Sequence, residues 1–466
     1  MARHRPGSER TTPARYILAS RLLRGAAMSL VVSGIGMSVT APQMTLFLVR
    51  ELHISDVVAG LYYLTNLAAP IAGFVVGSLS DRAGSRLLVY RLSALAGCAG
   101  WALMAFSTQT WMPFAINILL LSVAGAGAAQ LQAAVRDELN RNPTPVDNQV
   151  VAVMRMAMAL GWIVGPLIGA VLGTVWGLRP LLLATGVSLL LSLVPLIGVK
   201  AAPVATAAAV DGGAPTRPAP ALAADTTTDP IVAVTLAPSP GSRRARGTSL
   251  APLLLFTGIY VLIMCGETVK LAYLPLYLDG RLHADAALRG AIIGLQPLVE
   301  VALMPLAAKL ADRFGMAPVL FTGAGMAVAA HLSYASAEQF DLPIAALIAG
   351  QFFMAGVIAT FGVLGVTVAQ RFQPDRVGLA SSVFLSAFAI NAAVGGFVGS
   401  LGASWLGLPH LFWIPAAIAA TGAVALVVLN VYVPLDGSRV SPGRMGVESH
   451  SHTGIRVSRR PARDAP

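Results

Sequence analysis

The sequence predicts an all-α membrane protein with twelve transmembrane helices in two pseudo-symmetric six-helix bundles. Three observations predict this fold class. The composition is more apolar than that of a soluble domain, the apolar residues fall into twelve long runs, and features of the first half recur in the second at an almost constant distance. Together they predict that the chain crosses a lipid bilayer twelve times.

Of the 466 residues, 56% are hydrophobic, 11% are charged, and the net charge is +11. Soluble domains carry about 25% charged residues. The composition, with only two cysteines, excludes a disordered chain, a disulfide-stapled secreted domain and a cysteine-based metal protein. No phosphate-binding loop, nucleophile triad or paired His/Glu metal motif stands out. We therefore expect a protein that is not an enzyme, with no catalytic residues, no metal and no cofactor.

A helix needs about 20 apolar residues to cross the hydrocarbon core of a bilayer. Each of the twelve runs is long enough, and the first is too long for a cleavable signal peptide. Only helices satisfy their own backbone hydrogen bonds in lipid, and no alternating strand pattern is found, so each run predicts a helix. Spans 1 to 12 are expected at 25–49, 56–79, 87–107, 111–135, 149–174, 180–199, 250–279, 287–309, 317–337, 341–369, 376–404 and 409–433.

The distribution of Lys and Arg predicts the orientation. With the N-terminus in the cytoplasm, 26 of the 32 basic residues fall in inward segments, 4 fall in outward loops, and Arg155 and Lys270 lie within helices. Cytoplasmic loops of membrane proteins carry such an excess of basic residues, so both termini are expected in the cytoplasm. The expected location is the inner (cytoplasmic) membrane of the cell. Topology and anionic lipid explain the positive charge, and no nucleic-acid partner is expected.

Composition divides the chain into five parts. Residues 200–248 are rich in Ala, Pro, Thr and Gly, which predicts a flexible cytoplasmic linker between two sets of six helices. The expected parts are a cytoplasmic tail at 1–24, a bundle at 25–199, the linker at 200–248, a second bundle at 249–435 and a disordered basic tail at 436–466.

The two bundles carry matching residues. The separations are 230, 230, 230 and 231 positions, and the pairs are Leu52-His53 with Leu282-His283, Gly60 with Gly290, Asn66 with Gln296, and Asp81-Arg82 with Asp312-Arg313. Such a constant separation indicates an internal duplication with two parallel halves around a central pathway. We expect the halves of a monomer to rock against each other and to expose a midplane site to one side at a time.

Small residues recur every four positions in spans 5 and 11. They are Gly161, Gly165, Gly169 and Gly173 in span 5, and Gly395, Gly399 and Ala403 in span 11. Small residues at this spacing share one helix face and let backbones approach closely. Static packing and a moving contact both explain one such pair. The equivalent position of the two stripes favours a moving contact between the halves.

Residues 77–86, Gly-Ser-Leu-Ser-Asp-Arg-Ala-Gly-Ser-Arg, follow span 2 and resemble the signature loop of the major facilitator superfamily, G-x-L-x-D-x-x-G-[RK]-[RK]. Ser85 replaces the first basic residue, and the repeat at 312–315 lacks both. The resemblance implies the major facilitator fold, with Asp81 bracing the halves near the start of span 11. The gating residues that it implies are Gly77, Asp81, Arg82, Gly84, Arg86, Asp312 and Arg313.

Several segments are similar to the sugar efflux transporters of that superfamily. They are residues 41–48, residues 60–66, Val153-Met154-Arg155 and Gly161 to Pro166, and Glu300 stands 13 residues before Arg313 as the family's membrane carboxylate does. The element at Gly165-Pro166 also resembles the antiporter motif of the superfamily, although Ala170 interrupts its terminal glycine pair. This resemblance implies roles for Gly165 and Pro166 in the conformational change.

Four ionisable residues inside predicted spans are candidates for functional groups, because an ionisable group within a span faces the bundle interior or a water-filled cavity. Glu300, in span 8, is our candidate for the carboxyl that binds and releases the coupled proton. It could equally accept hydrogen bonds from the hydroxyl groups of a sugar, and the structural alternative is a static partner of a basic residue. Glu267 and Lys270, three apart in span 7, can pair locally, which leaves a coupling role and a structural role equally open. Arg155 is expected in a cytoplasmic charge network with Asp137 or Glu138.

Amide side chains are candidates for binding solute hydroxyl groups, because an amide both donates and accepts hydrogen bonds. An interhelical hydrogen bond is the alternative for each of them. The five candidates, each placed within a predicted span, are Gln43, Asn66, Gln130, Gln296 and Asn391. Trp162, Tyr62 and Tyr273 are candidates for stacking on a sugar ring or an aromatic drug.

The sequence thus predicts a secondary transporter that works by alternating access and exports a sugar or sugar-like solute in exchange for protons. Its expected partners are this small solute, protons and the lipid bilayer. A multidrug or other metabolite exporter of the same superfamily is the first alternative and requires a wider, more apolar site. A membrane receptor that binds without transport is the second.

Overall fold

The computed structural model describes residues 12–143, 146–199, 249–339 and 342–436. Within these ranges it confirms the predicted all-α fold with twelve membrane-spanning helices. The spans run Arg21–Arg50, Asp56–Ser80, Arg86–Ala105, Trp111–Arg141, Gln149–Val175, Leu178–Leu196, Ala251–Gly280, Ala286–Phe314, Met316–Ala335, Pro343–Phe372, Pro374–Trp405 and His410–Tyr432. The predicted linker at 200–248 and the residues after 436 lie outside the described ranges.

Three spans of the first bundle change helix type within the membrane. Span 1 passes through a 3-10 turn at Ala41–Gln43, span 2 through one at Tyr62–Leu67, and span 4 through a π-helical segment at Asn117–Leu121. Pro42 contributes to the first break because it has no backbone N–H to donate. Such breaks often mark functional sites, and residues of all three segments border the central cavities.

The first span begins four residues earlier than predicted. A short helix, Pro13–Ala19, precedes it within the predicted tail, and Ser20 separates the two helices. The side-chain oxygen of Ser20 accepts a hydrogen bond from the backbone N–H of Leu23 at 3.3 Å, which caps the helix that starts at Arg21. Apolar runs do not report this start, because Arg21 and Arg24 interrupt the hydrophobic pattern there.

The internal duplication is visible in backbone geometry. His53 and His283, 230 positions apart, both adopt positive φ angles of 52° and 47°. Ser55 and Asp285 then cap spans 2 and 8, each accepting a hydrogen bond from the backbone N–H three residues further on, at 3.4 and 2.7 Å. The two outer turns therefore repeat the same uncommon conformation, as expected for duplicated bundles.

The glycine stripes pack inside the bundles, which corrects their interpretation as a moving contact. A Cβ atom on Gly165 would overlap with the side chain of Ser38 in span 1, and one on Gly399 would overlap with Tyr273 in span 7. Each stripe therefore faces a helix of its own bundle. The sequence could not distinguish these alternatives, because close approach requires small residues in either case.

Contact between the bundles is made by span 2 against span 11 and by span 8 against span 5. A Cβ atom on Gly60 would lie 2.9 Å from the carbonyl oxygen of Gly396, and one on Gly290 would lie 2.5 Å from the Cα atom of Leu167. Gly60 and Gly290 are one of the repeated pairs, so the same device occurs on both sides of the pseudo-symmetry axis. We call these two contacts the outer seam, because they lie near the span ends that the basic residues assign to the outside.

The chain after span 12 is fixed to the start of span 9. A carboxylate oxygen of Asp436 accepts hydrogen bonds from the backbone N–H groups of Met316 and Ala317, the second at 3.2 Å. A carboxylate in this place satisfies free N–H groups and interacts well with the helix dipole. The predicted tail at 436–466 therefore starts at a docked residue, which no local pattern reveals because the partners are about 120 positions away.

Replacing Asp436 by alanine is expected to lower the free energy of unfolding by about 1–2 kcal/mol, the usual effect of losing a helix N-cap. Thermal unfolding of the detergent-solubilised protein measures the change. Asp375→Ala, which removes an exposed carboxyl at the same face, is the matched control. Equal melting temperatures for both variants would show that the cap does not stabilise span 9.

Candidate functional site

Two adjoining cavities lie at the centre of the molecule. The C-side cavity is lined mainly by spans 7, 8, 10 and 11 and has an empty volume of about 970 Å³, counting its opening to solvent. The N-side cavity is lined mainly by spans 1 to 6 and has an empty volume of about 1320 Å³ on the same measure. Trp162, Thr268 and Leu271 line both. Together the cavities offer a pocket of the size that small organic ligands occupy.

The wall of the C-side cavity contains a charged cluster. The ammonium group of Lys270 donates to a carboxylate oxygen of Glu267 at 2.7 Å, as the spacing predicts, and also to the amide oxygen of Gln296. Lys270 is 3% exposed and Gln296 is also 3% exposed. Spans 7 and 8 are thus joined by a buried cation, and removal of either Lys270 or Glu267 alone would leave an uncompensated charge.

Glu300 and Asn391 complete the polar part of this cavity. Glu300 is 1% exposed and lies one helical turn after Gln296 on span 8, so both face the same side. Asn391 of span 11 is 6% exposed, and its amide oxygen has no hydrogen-bond partner among the described residues. The cavity therefore presents two carboxyl groups, one ammonium group and two amides within apolar walls.

The N-side cavity is uncharged and is lined by aromatic and amide side chains. The amide of Asn117 donates to the hydroxyl of Thr65 at 2.6 Å, and that of Asn66 donates to the backbone oxygen of Tyr63 at 3.1 Å. The indole N–H of Trp101 has no acceptor within the described part of the chain. Sequence reasoning did not single out Asn117 or Trp101, and the π-helical segment that turns Asn117 inward gives no sequence pattern.

The structure brings three of the five predicted amides to the cavities. Asn66 lines the N-side cavity, and Gln296 and Asn391 line the C-side cavity. Gln43 and Gln130 are buried elsewhere, at 3% and 2% exposure, and are not part of either lining.

The three aromatic candidates divide in the same way. Tyr62 lines the N-side cavity, and Trp162 separates the two cavities. Tyr273 lies in the outer seam instead, where its hydroxyl donates to the backbone oxygen of Asp56 at 2.9 Å. Its ring therefore joins the two bundles and does not face either cavity lining.

Asp279 takes part in ion pairs at the ends assigned to the outside, and one of these pairs joins the two bundles. Arg50 at the end of span 1 contacts the carboxylate of Asp279 in span 7 at 2.6 Å, and Arg289 of span 8 contacts the other oxygen of that carboxylate. Arg289 also donates to the hydroxyl of Thr174 at the end of span 5, at 3.0 Å. These contacts and the outer seam close the cavities at that end.

The N-side cavity extends toward the opposite membrane face. Tyr90 and Ser192 line it close to the inner ends of spans 3 and 6, and their hydroxyl groups are hydrogen-bonded at 2.8 Å. The described conformation is therefore closed toward the predicted outside, and its pocket reaches toward the predicted cytoplasm.

The signature loop makes contacts of its own beside span 4. Gly84 has a φ of +65°, where glycine is favoured, and ends the helix Ala68–Ala83 that continues beyond span 2. Gly77 is buried within that helix. Arg86 donates to Asp137 at 3.5 Å and to the hydroxyl of Ser80 at 3.4 Å. Asp137 is one of the two acidic residues that were expected to pair with Arg155, and here it contacts Arg86.

The remaining gating candidates fall into three groups: exposed residues, residues whose side chains the structure does not describe, and packed residues of span 5. Arg82, Asp312 and Arg313 are exposed, and Arg313 lies over the ring of Phe314 at 5.0 Å. The side chains of Asp81 and Arg155 lie outside the described part of the structure, so the brace and the charge network expected of them stay predictions. Gly165 packs on span 1, whereas the backbone oxygen of Pro166 faces Gly290 across the seam.

Among the described residues, no group of three His, Cys, Asp or Glu side chains could hold a metal ion. Cys98 and Cys265 are free thiols.

The chain matches the family model described as Major Facilitator Superfamily over residues 26–256 and 256–462. Sugar efflux transporter A of Dickeya chrysanthemi is 25% identical, over 85% of this chain and 92% of its own. Sugar efflux transporter A of Escherichia coli K12 is 24% identical, over 83% and 90%.

The structure of the nucleoside transporter NupG superposes with a TM-score of 0.66 at 13% identity, covering 87% of this chain and 98% of that one. This likeness concerns the fold. The family model spans both bundles, and the relatives share nearly the whole length, so the chain is a member of the Major Facilitator Superfamily.

Proposed function

We propose that the protein exports a sugar or sugar-like solute in exchange for protons, and that its two bundles rock to expose the joined cavities to one side of the membrane at a time. The observation that carries this proposal is the division of the central pocket. A neutral wall of aromatic and amide side chains faces a wall that holds the buried cluster of Glu267, Lys270, Gln296 and Glu300.

The neutral polar groups support a sugar-like solute. Asn66, Gln296 and Asn391 bring amides from both bundles, and the free indole N–H of Trp101 adds a donor. A sugar offers hydroxyl groups that satisfy both donors and acceptors, together with an apolar ring face that packs on an aromatic side chain. Relatives named as sugar efflux transporters over most of the chain agree with this solute class.

The apolar part of the pocket favours a second candidate. Met37, Met44 and Met158 line the N-side cavity, and methionine adapts to irregular apolar ligands. A multidrug exporter would use this surface. Inhibition of ethidium efflux from loaded proteoliposomes separates the candidates. Glucose or lactose should inhibit this efflux if the pocket binds sugars, whereas bulky apolar cations should inhibit it if the protein is a multidrug exporter.

The charged cluster supports proton coupling. A carboxylate buried in an apolar wall is stable only when it is paired or protonated. Two carboxyl groups, Glu267 and Glu300, lie in the wall that holds the single ammonium group of Lys270. Proton uptake by Glu267 would neutralise the carboxylate that pairs with Lys270, so protonation and the arrangement of the cluster are linked.

Replacing Glu300 by glutamine is expected to uncouple transport from protons. Lactose flux driven by an imposed pH gradient in proteoliposomes should fall by about tenfold or more, a typical effect of losing a proton-transferring group. Exchange of internal for external lactose, which needs no net proton movement, should continue. Glu338→Gln, at an exposed loop position, is the matched control, and full pH-driven flux in Glu300→Gln would contradict the assignment.

A further inference from the structure

A groove opens on the lipid-facing surface of the C-terminal bundle, away from both central cavities. Residues of spans 8, 9 and 10 line it, and its empty volume is about 760 Å³, counting its opening. The lining is apolar except for Thr322 and Thr360. Each hydroxyl donates to a backbone oxygen of its own helix at 2.9 Å, the first to Pro318 and the second to Val357. The groove is therefore suited to an apolar occupant.

The groove covers one half of the membrane thickness. On span 8 its lining runs from Leu303 to Phe314, the last residue of the span, which is about 16 Å along a helix that rises about 1.5 Å per residue. The hydrocarbon core is about 30 Å thick, so one leaflet contributes about 15 Å. On span 9 the lining begins at Pro318, close to the start of that span at Met316. The groove therefore matches the acyl layer of the leaflet at the span ends assigned to the cytoplasm.

The same place in the N-terminal bundle is filled by packing. The residues 230 positions before Leu306, Val319 and Gly356, which line the groove, are Val76, Val89 and Ala126. These three earlier residues are buried and pack together in a cluster of their own. Leu306 is 48% exposed, whereas Val76 is 5% exposed. The six-helix fold thus does not require the groove, which is a property of the second half.

A cation lies at the inner end of the groove. The guanidinium group of Arg313 lies 5.0 Å from the ring centroid of Phe314, a residue of the lining. Arg313 is exposed and forms no ion pair with a carboxylate within the described ranges. Lys309, exposed one helical turn earlier, adds a second positive charge to this end. Long basic side chains near helix ends extend their charged groups to the membrane interface.

The carboxyl groups at this face do not cancel the positive charge. Asp312 is exposed beside Arg313. Asp436 caps the start of span 9, where backbone N–H groups and the helix dipole balance its charge. Arg313 and Lys309 together therefore outweigh Asp312, and the inner end of the groove keeps a net positive charge. Basic sites between helices on the cytoplasmic side suit the phosphate of an anionic lipid.

We propose that the groove binds an anionic phospholipid of the inner leaflet, with one acyl chain between spans 8 and 9 and the phosphate on the guanidinium group of Arg313. The length and apolar wall of the groove select the chain, and the cation at its inner end selects the headgroup. The site is separate from the solute pocket, so it does not depend on the proposed transport function. Bound there, the lipid fills the space that buried side chains fill in the first bundle.

Native mass spectrometry of the full-length protein tests the headgroup contact. The protein, purified in dodecyl maltoside, is titrated with equal amounts of dioleoylphosphatidylglycerol and dioleoylphosphatidylcholine. The first bound lipid should be the phosphatidylglycerol by about fivefold or more, the effect of one basic residue at an anionic headgroup. Arg313→Gln should bring this preference to within about twofold of equality. Arg21→Gln, which removes an exposed arginine at the inner end of span 1, should leave the preference unchanged.

Thr322→Trp tests the groove itself, because Thr322 is exposed on its wall and a bulky ring there would occupy the space of the acyl chain. It should reduce retention of the first lipid by about tenfold or more, whichever headgroup the lipid carries, since each buried CH₂ contributes to binding.

Three results would overturn the proposal. The first is a preference for phosphatidylglycerol that survives Arg313→Gln or is lost equally in Arg21→Gln. The second is equal retention of lipid by Thr322→Trp and the parent. The third is a dimer in the parent spectrum that Thr322→Trp abolishes, which would show that a second copy of the chain covers the groove instead of a lipid.

Discussion

Gly290→Val is expected to reduce solute transport by roughly ten- to a hundredfold by preventing closure of the outer seam. The new side chain would collide with the backbone of span 5, because even a Cβ atom would lie 2.5 Å from the Cα atom of Leu167. Overpacking of this kind costs about 1–3 kcal/mol, and about 1.4 kcal/mol shifts an equilibrium tenfold. The variant should therefore favour a conformation that is open to the outside.

Accessibility distinguishes this effect from simple misfolding. A cysteine introduced at Thr268, which lines both cavities, should react faster with an external membrane-impermeant reagent when Gly290→Val is present. Gly325→Val is the control, because nothing lies within 4 Å of the Cβ position of Gly325. Equal labelling rates in both backgrounds would mean that the contact between spans 5 and 8 does not control the outer end.

Lys270→Met is expected to destabilise the protein and to stop transport. The substitution leaves Glu267 without the cation that pairs with it. Removing one partner of a buried pair costs about 3–5 kcal/mol, because the other charge stays in a low-dielectric environment. Thermal unfolding should show a large loss of stability, and transport assays should show no pH-driven flux.

A double substitution separates charge balance from function. In Glu267→Gln with Lys270→Met both charges are gone, so most of the stability should return while pH-driven flux stays absent. Lys309→Met, which removes an exposed lysine of span 8, is the control for loss of a positive charge. If Lys270→Met alone melts at the same temperature as the parent, the cluster does not depend on its cation.

Local sequence patterns were sufficient for the helices and for one part of the site. Apolar runs give the spans because the bilayer requires about 20 apolar residues from each. The contact between Glu267 and Lys270 follows from their spacing, since residues three apart share a helix face. The repeated pair Gly60 and Gly290 was found as a sign of duplication, and the structure adds that both glycines form the outer seam.

Features that depend on distant partners were not accessible from sequence. The direction of the stripe residue Gly165 depends on which helix packs against it, and Ser38 of span 1 is its neighbour. Asn117 reaches the N-side cavity through a π-helical segment that leaves the periodicity of span 4 almost unchanged. In sequence, Gln43 and Gln130 could not be told apart from the amides that line the cavities. An amide within a span can face either a cavity or a neighbouring helix, and the sequence does not show which.

We propose that the two bundles enclose one pocket and open it to opposite sides of the membrane in turn. Distances between spin labels test it directly, with one pair at Trp176 and Arg281 across the outer ends and a second pair at Leu79 and Phe314 across the inner ends, all at exposed positions. When pH or solute is changed, the outer distance should increase as the inner distance decreases. Two distances that stay constant, or that rise and fall together, would contradict the account.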